Sequence, residues 1–475
     1  MHAYPDVGWN TKMERLGSMD SAFLDVEKSG PSVAVGSASR VLGKAPTIEE
    51  LRTFVDGRLE EMPRFRQRVV ASRTKMRQSK WVSTRPDLEH HVIQIVLKPG
   101  DLIDVAVTQI MERPLDRKRP LWDCTLVTGY SKTEWCCVWR LHHSIADGQG
   151  AMILLGRTID LAPDGGFTLA DAIESMSAHS DDGGEKEELP GGFEGLAART
   201  VKAIEAGFEG AGQFLSSYPD TVRTLVNLAP RRATDLTGPV SAQRKWVSGQ
   251  YSLADVKDAR KSLKGVTIND IVLAGVTAGF RALIESRGHD PAGRTVRAVM
   301  PISLRTNMDS NNQVGILPAP LPVGETDPLK RIKLIKQATK HSKRSMLPII
   351  ADKAIKMTEK VTPAPLQELV LSHSGQSTQY FSETLVTNVP GPMVPMYFMG
   401  QEILSNTPII PIEGTMRIIV GITSYLGQLN IGVTGDGEHA PDVDVLMAGI
   451  IDGLDEIVRL GGVEPGAAAA KAEAS

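Results

Sequence analysis

Residues 133–150 read TEWCCVWRLHHSIADGQG, and two adjacent histidines, His142 and His143, end the apolar run. A short apolar run of this kind predicts a buried strand, and the residues after Gly148 resume the spacing of a helix. The dipeptide Asp147-Gly148 begins four residues after His143. Such a junction of strand, loop and helix can hold a catalytic base, a metal site or histidines that simply pack in the core.

A metal site is disfavoured by the number of candidate ligands. Zinc needs three or four ligands in a tight set. His142 and His143 are sequence neighbours whose side chains diverge on any regular backbone, and no nearby Cys, His or Glu completes a set. Core packing is the ordinary explanation for a single histidine. Here the pattern His-His-x-x-x-Asp-Gly is more specific, and Gly148 lets a backbone or a ligand approach closely.

A catalytic role uses every part of the pattern. A neutral imidazole titrates near physiological pH and can accept a proton from a hydroxyl group. The carboxylate of Asp147 can fix the loop by pairing with an arginine. The chain has no G-x-S-x-G nucleophile elbow, so the pattern favours direct transfer to an acceptor that a histidine activates.

Composition indicates a soluble globular protein with more than one domain. The chain has 475 residues, 41% of them hydrophobic and 23% charged, with a net charge of −3. No basic excess suggests nucleic acid. The three cysteines form no CxxC and are expected to be packing residues in a reducing cytosol. We expect no secretory signal, and no apolar stretch reaches the roughly 18 residues that span a bilayer.

Strand and helix patterns alternate in both halves of the chain, which predicts two α/β domains. Residues 33–42 read as a strand. Thr47 and Glu50 form a predicted capping box at the start of the next helix. The predicted organisation is a first domain over 1–165, a crossover over 166–240, a second domain over 241–462 and a disordered tail over 463–475.

The motif HHSIADG resembles the HHxxxDG signature of the chloramphenicol-acetyltransferase-like superfamily. Further blocks resemble, in order, those of bacterial wax ester synthase/diacylglycerol acyltransferases, and the resemblance runs from about residue 14 to 460. These blocks are LGSMDSAFL (16–24), PLDRKRPLWDCTLVTG (114–129), TINDIVLAG (267–275), VMPISLRT (299–306) and TNVPGP (387–392).

The resemblance implies two chloramphenicol-acetyltransferase-like domains with mixed sheets and an active-site tunnel at their interface. It implies that His143 is the general base and that His142 supports the loop, with a direct part of His142 in catalysis as the alternative. Asp147 is then a structural residue that pairs with Arg305, and Gly148 keeps the entrance open.

Four further residues are candidates for supporting the motif. Asn269 could shape the tunnel near the base, although Thr267 to Asp270 could also be a plain helix start. Ser303 and Asn388 could donate hydrogen bonds to an oxyanion.

The implied activity is O-acyl transfer from acyl-CoA, as co-substrate, to diacylglycerol or a long-chain alcohol, with no other cofactor, no metal and no carrier protein. A condensation-type acyltransferase with carrier-bound donors and a catalytically weak lipid-binding homologue remain as alternatives. The implied location is the cytoplasm, with peripheral association at membranes or lipid droplets. The basic segment 327–357 is the candidate docking site, and an ordinary solvated helix is the other interpretation of it.

Overall fold

A computed structural model describes residues 14–16, 23–24, 27, 32–70, 79–146, 148–179, 234–303, 314–344, 382–412 and 414–466. The chain divides into two compact units: residues 1–175, 361–374 and 396–404 form the first, and residues 176–360, 375–395 and 405–475 form the second. Each unit has a mixed α/β architecture, which confirms the predicted fold class.

The first unit is built on a six-stranded mixed sheet in the order β12-β13-β2-β7-β6-β5, in which β12 is Tyr397–Phe398 and β13 is Gln401–Ile409. A separate three-stranded antiparallel sheet has the order β1-β4-β3. Strand β5 runs parallel to β6, whereas β7 is antiparallel to both β6 and β2. The elements before residue 180 are β1 (Glu14–Arg15), β2 (Ala34–Leu42), α1 (Ile48–Arg58), 3-10 turns at Leu59–Glu61 and Pro63–Arg66, β3 (Gln67–Val70), β4 (Lys80–Ser83), α2 (Leu88–His91), β5 (Val92–Val96), α3 (Ile103–Glu112), β6 (Trp122–Thr128), β7 (Glu134–His142), α4 (Gly148–Gly156) and α5 (Leu169–His179).

The second unit is built on the sheet β10-β9-β11-β14-β15-β8. Its central strands β9, β11 and β14 are parallel, and antiparallel strands flank them on both sides. The elements after residue 240 are β8 (Arg244–Ser252), α6 (Leu253–Ser262), α7 (Ile268–Ser286), β9 (Val296–Ser303), β10 (Val314–Leu321), α8 (Pro328–Arg344), β11 (Thr384–Val389), β12 (Tyr397–Phe398), β13 (Gln401–Ile409), β14 (Ile418–Tyr425), β15 (Gln428–Asp436) and α9 (Val443–Leu460).

Small residues allow α7 and α9 to pack closely. A Cβ atom added at Gly279 would lie 2.6 Å from the carbonyl oxygen of Leu446, and one added at Gly453 would lie 2.4 Å from the Cβ of Ala278. Both helices contribute to the hydrophobic core of this unit. The glycines of α7 and α9 therefore set the distance between the two helices.

Local sequence signals hold well in the first unit. Thr47 and Glu50 form the predicted capping box at α1. The apolar stretch HHVIQIVL (90–97) predicts a single strand, and this is wrong at its start, because His90 and His91 donate backbone hydrogen bonds to Asp87 and complete the helical turn α2. Strand β5 begins only after that turn.

The predicted domain boundaries remain predictions, and the structure adds two observations. Helix α5 lies inside the predicted crossover, and residues 396–404 return to the first unit from the second half of the chain. Within the predicted crossover, the sequence predicts an exposed acidic, Gly-rich link over 180–195 and helices over 196–230. Both stretches, and the predicted tail from residue 467, lie outside the described residues.

Candidate active site

Strand β7 ends at His142, and the chain then turns. The backbone N–H of His142 donates to Leu121 (2.9 Å), that of His143 donates to Val33 (3.3 Å), and that of Ile145 donates back to His142 (2.8 Å). His142 is fully buried, whereas His143 is half-buried. The two rings have different surroundings, as expected for neighbours at a strand end.

His142 is held as a neutral imidazole. The backbone N–H of Ser144 donates to its Nδ1 at 3.1 Å, and the Ser144 hydroxyl lies 2.8 Å from the same nitrogen. Because Nδ1 accepts a hydrogen bond, the proton of the neutral ring is assigned to Nε2. Burial lowers the pKa of His142 and outweighs the nearby Glu27, which raises it. A buried neutral ring of this kind can support a loop.

Glu27 faces the other side of the His142 ring. Its Oε2 lies 3.4 Å from His142 Nε2 and accepts a hydrogen bond from Arg117 Nη2 at 2.9 Å. Burial raises the pKa of the Glu27 carboxyl, but the combined effects of His142 and Arg117 are larger and bring it from 4.5 to about 2. Glu27 is therefore ionised at neutral pH, with the guanidinium as its charged partner.

Sequence reasoning missed Glu27 and Arg117 as functional residues. Arg117 lies inside the block 114–129, and Glu27 follows the block 16–24 by three residues. The position of an arginine inside one family block and of a carboxylate just after another was the only sequence signal for a functional role of this pair. Nothing local indicated that they would meet at the histidine pair.

The ring of His143 is stacked on an aromatic side chain. Phe23 lies with its ring centroid 4.2 Å from that of His143, at an interplanar angle of 21°. The Nδ1 atom of His143 is buried and has no hydrogen-bond partner within the described part of the chain. With Nδ1 shielded, Nε2 is the nitrogen through which this ring can exchange a proton with another molecule.

A second buried charge network lies on the same strand. Arg140 places Nη2 at 2.6 Å and Nε at 3.1 Å from the two carboxylate oxygens of Asp123, and Arg113 also contacts Asp123 at 2.9 Å. Arg140 and Asp123 are directly opposite in the pairing of β7 with β6. This network anchors the strand two residues before His142.

For four predicted site residues the structure gives at most a position in the chain. Asp147 and Arg305 are outside the described residues, so their pairing stays a prediction. Gly148 is the first residue of α4, and Ser303 is the last residue of β9. No group of three or more His, Cys, Asp or Glu side chains in the described ranges is arranged to hold a metal ion.

Two of the remaining candidates contact each other in the second unit. Asn388 on β11 donates a side-chain hydrogen bond of 3.2 Å to Asn269 at the start of α7. Asp270 instead forms a capping box with Thr267, whose backbone N–H and hydroxyl both donate to the carboxylate. The plain helix-start interpretation is therefore confirmed for Asp270, and Asn269 is the residue that makes the longer-range contact.

Two mixed α/β units with a histidine pair at the end of a central strand are the fold that the resemblance to the chloramphenicol-acetyltransferase-like class predicted. Residues 16–272 match the wax ester synthase/diacylglycerol acyltransferase catalytic domain, and residues 310–458 match the C-terminal domain of the same family. The chain belongs to the wax ester synthase/diacylglycerol acyltransferase family, as the resemblance predicted.

Individual relatives agree with this assignment. The chain is 30% identical to the "Probable diacyglycerol O-acyltransferase tgs1" of Mycobacterium tuberculosis over 94% of this chain and 96% of the relative. It is 24% identical to the O-acyltransferase WSD of Acinetobacter baylyi over 79% and 81%. The solved wax ester synthase/diacylglycerol acyltransferase from Marinobacter aquaeolei VT8 shares the fold, with a TM-score of 0.65 and 21% identity over 94% of this chain and 100% of that one.

Proposed function

We propose that this chain transfers a fatty acyl group from acyl-CoA to the hydroxyl of diacylglycerol or of a long-chain alcohol, giving triacylglycerol or a wax ester. The printed names of the relatives support both acceptor classes. The observation that carries the proposal is the placement of His143 in the turn after β7, with its ring stacked on Phe23. Acyl-CoA is a co-substrate here, and the reaction needs no resident cofactor or metal.

His143 is the general base in this proposal. Its Nε2 accepts the hydroxyl proton while the acceptor oxygen attacks the thioester carbonyl, because an alcohol is too weak an acid to ionise first. The tetrahedral intermediate then expels the CoA sulfur as the C–S bond breaks. The imidazolium returns its proton to that sulfur, so the products are the ester and free CoA-SH.

His142 has a supporting role in the same proposal. It is fully buried, and both of its ring nitrogens face protein groups: Ser144 at Nδ1 and Glu27 at Nε2. A substrate hydroxyl therefore has no free nitrogen to reach on this ring. The same burial keeps it neutral, so it adds no positive charge beside a base that becomes imidazolium during transfer.

The test is an acyl-transfer assay with purified protein. Labelled palmitoyl-CoA is supplied with diacylglycerol or with hexadecanol, and both the lipid product and free CoA are measured. We expect ester formation with at least one acceptor, and His143→Ala should lower kcat by roughly 10²–10⁴-fold. No ester from either acceptor would overturn the proposal, and near-normal activity of a folded His143→Ala protein would overturn the assigned base. Transfer only from a carrier-bound donor would instead indicate condensation-type chemistry, and binding without turnover would indicate a lipid-binding protein.

We also propose that the protein meets its lipid substrates by docking at a membrane or lipid-droplet surface. None of the described helices is long and apolar enough to cross a membrane. Helix α8 exposes Leu329 (47%) and Leu334 (44%), and Lys330 and Lys333 are exposed beside them. Anionic headgroups attract each such lysine by about 1 kcal/mol. Arg331, by contrast, is buried in the protein and donates hydrogen bonds to the Glu325 backbone.

The docking proposal is tested by flotation with anionic vesicles at low and high salt. We expect salt-sensitive binding that the double variant Lys330→Glu/Lys333→Glu weakens. The double variant Lys44→Glu/Lys118→Glu carries the same charge change on exposed residues of the first unit and should float like the wild type. Equal binding of the two double variants would overturn α8 as the site, and protein left wholly in the soluble fraction would overturn docking itself.

A further inference from the structure

Glu27 is a buried carboxylate with an acceptor oxygen on the edge of the His142 ring. Its side chain is only 7% exposed, and its Oε2 lies 3.4 Å from His142 Nε2. That distance is longer than the usual ~2.7–3.2 Å for an N–H···O hydrogen bond, so the attraction is chiefly electrostatic. His142 Nε2 is also buried and makes no other hydrogen bond within the described residues. The carboxylate is thus the acceptor that the described protein offers to this N–H.

The two sides of the His142 ring have opposite hydrogen-bonding requirements. Ser144 presents a backbone donor to Nδ1, whereas Glu27 presents an acceptor to Nε2. The ring therefore satisfies both neighbours in one tautomer and one orientation only. A ring with its proton on Nδ1 would place a donor against the Ser144 N–H and a lone pair against the carboxylate, and a flipped ring would place C–H groups against both.

Arg117 connects the same carboxylate to the partner of His143. Its Nη2 donates both to Glu27 (2.9 Å) and to the backbone carbonyl of Leu24 (2.8 Å). Leu24 directly follows Phe23, whose ring is stacked on His143. One partly buried ion pair therefore holds the contacts of both histidines, since Glu27 faces His142 and Arg117 anchors the segment that packs on His143.

We infer that Glu27 is a positioning residue for the acyl transfer: it fixes the Nε2–H tautomer of His142 and, through Arg117, the aromatic support of His143. The inference rests on the proposed function for its effect on rate, but its effect on the His142 tautomer does not. Displacing a reacting group by about 1 Å can cost on the order of 10²-fold in rate. The cost should fall on kcat, since Glu27 is shielded from substrate by the ring that it holds.

The test compares Glu27→Gln and Glu27→Ala with a matched control, Glu134→Gln. Glu134 lies at the end of β7 opposite His142 and forms a 2.6 Å ion pair with Arg40, so the control also removes one carboxylate charge that is paired with an arginine, but away from the histidine pair. We expect Glu27→Ala to lower kcat by roughly 10–100-fold with both KM values within about twofold of wild type. Glu27→Gln keeps an acceptor oxygen but loses the charge that holds Arg117, so it should fall between Glu27→Ala and wild type. The Glu134→Gln protein should have wild-type kinetics.

A second readout does not depend on activity. In protein labelled with ¹⁵N-histidine, the imidazole nitrogens of His142 should show the Nε2–H tautomer at neutral pH in the wild type and in Glu134→Gln. Glu27→Ala should show a mixture of tautomers or a flipped ring. A pure Nε2–H signal in a folded Glu27→Ala protein, or unchanged kcat in an active one, overturns the inference. If Glu27→Ala does not fold, the kcat criterion alone applies to the isosteric Glu27→Gln, because its amide oxygen can still accept the Nε2–H of His142. If the wild type makes no ester but Glu27→Ala shows the expected change of the His142 tautomer, the proposed function is overturned, whereas the positioning of the His142 ring by Glu27 is supported.

Discussion

Asp123→Asn should destabilise the first unit far more than the loss of a surface charge. The substitution keeps the shape of the side chain but leaves the Arg140 guanidinium, whose side chain is 1% exposed, without its carboxylate. That carboxylate currently receives two contacts from Arg140, at 2.6 and 3.1 Å, and one from Arg113 at 2.9 Å. Removing one partner of a buried pair costs about 3–5 kcal/mol, because the remaining charge stays desolvated.

The magnitude is measurable by thermal unfolding. For a unit of this size, each kcal/mol lowers Tm by about 2–4 °C, so Asp123→Asn should lower it by roughly 6–20 °C. Glu134→Gln is again the reference, since the Arg40–Glu134 pair lies on the same strand with side chains 37% and 20% exposed. A partly exposed surface pair of this kind contributes about 1 kcal/mol.

A charge-free replacement distinguishes an ion-pair effect from a shape effect. In Asp123→Leu/Arg140→Met no buried charge is stranded, because Arg113, the other partner of Asp123, is 41% exposed and stays solvated. The double variant should therefore recover a large part of the stability lost in Asp123→Asn. The argument from a desolvated charge fails if the Tm of Asp123→Asn is no lower than that of Glu134→Gln, or if the double variant has a lower Tm than Asp123→Asn.

Three further substitutions test features of the second unit. Gly279→Ala should lower the stability of the second unit by about 1–2 kcal/mol, which the Tm measures. The new Cβ would lie 2.6 Å from the Leu446 carbonyl oxygen, and the cost of this overpacking exceeds the gain in helix propensity. Thr267→Ala removes the helix cap of α7 and should cost about 1 kcal/mol, read from urea midpoints. Asn388→Ala removes the 3.2 Å hydrogen bond to Asn269 and should cost about 1 kcal/mol while lowering acyl transfer, whereas unchanged activity would exclude this contact from the site.

Local signals were sufficient for most elements of the fold. The capping pair at Thr47 could be read from four residues, because donor and acceptor lie within one helical turn. The same holds for the strand run of β7, since a strand buried on both faces carries a continuous apolar run, here from Trp135 to Trp139. The histidine pair at its end was equally visible, and its two different environments follow from the alternation of side chains along a strand.

Contacts between residues far apart in the chain could not be predicted from the sequence around them. Glu27 and Arg117 are separated by 90 positions, and Asn269 and Asn388 by 119. Such pairs form because the fold brings the segments together, and neither residue has a neighbour pattern that names its partner. The return of residues 396–404 to the first sheet is of the same kind, since an edge strand accepts any segment with free backbone groups and a compatible face.

Acid should remove the stabilisation that Glu27 provides, and the pH range follows from its pKa. The carboxyl has a pKa near 4.5 in the unfolded chain and about 2 in the folded one. A difference of this size corresponds to roughly 3 kcal/mol of stability, which is fully present above pH 4.5 and is lost as the pH falls toward 2. Glu27→Gln cannot titrate, so the variant should be less stable than the wild type from pH 7 to 5. Below pH 4.5 the difference between the two free energies of unfolding should narrow, because only the wild type takes up a proton at this position when it unfolds. Urea denaturation of both proteins at pH 7, 5, 4 and 3 measures the difference, and a gap that stays constant or widens down to pH 3 would contradict the assignment of the ionised carboxylate to this buried site.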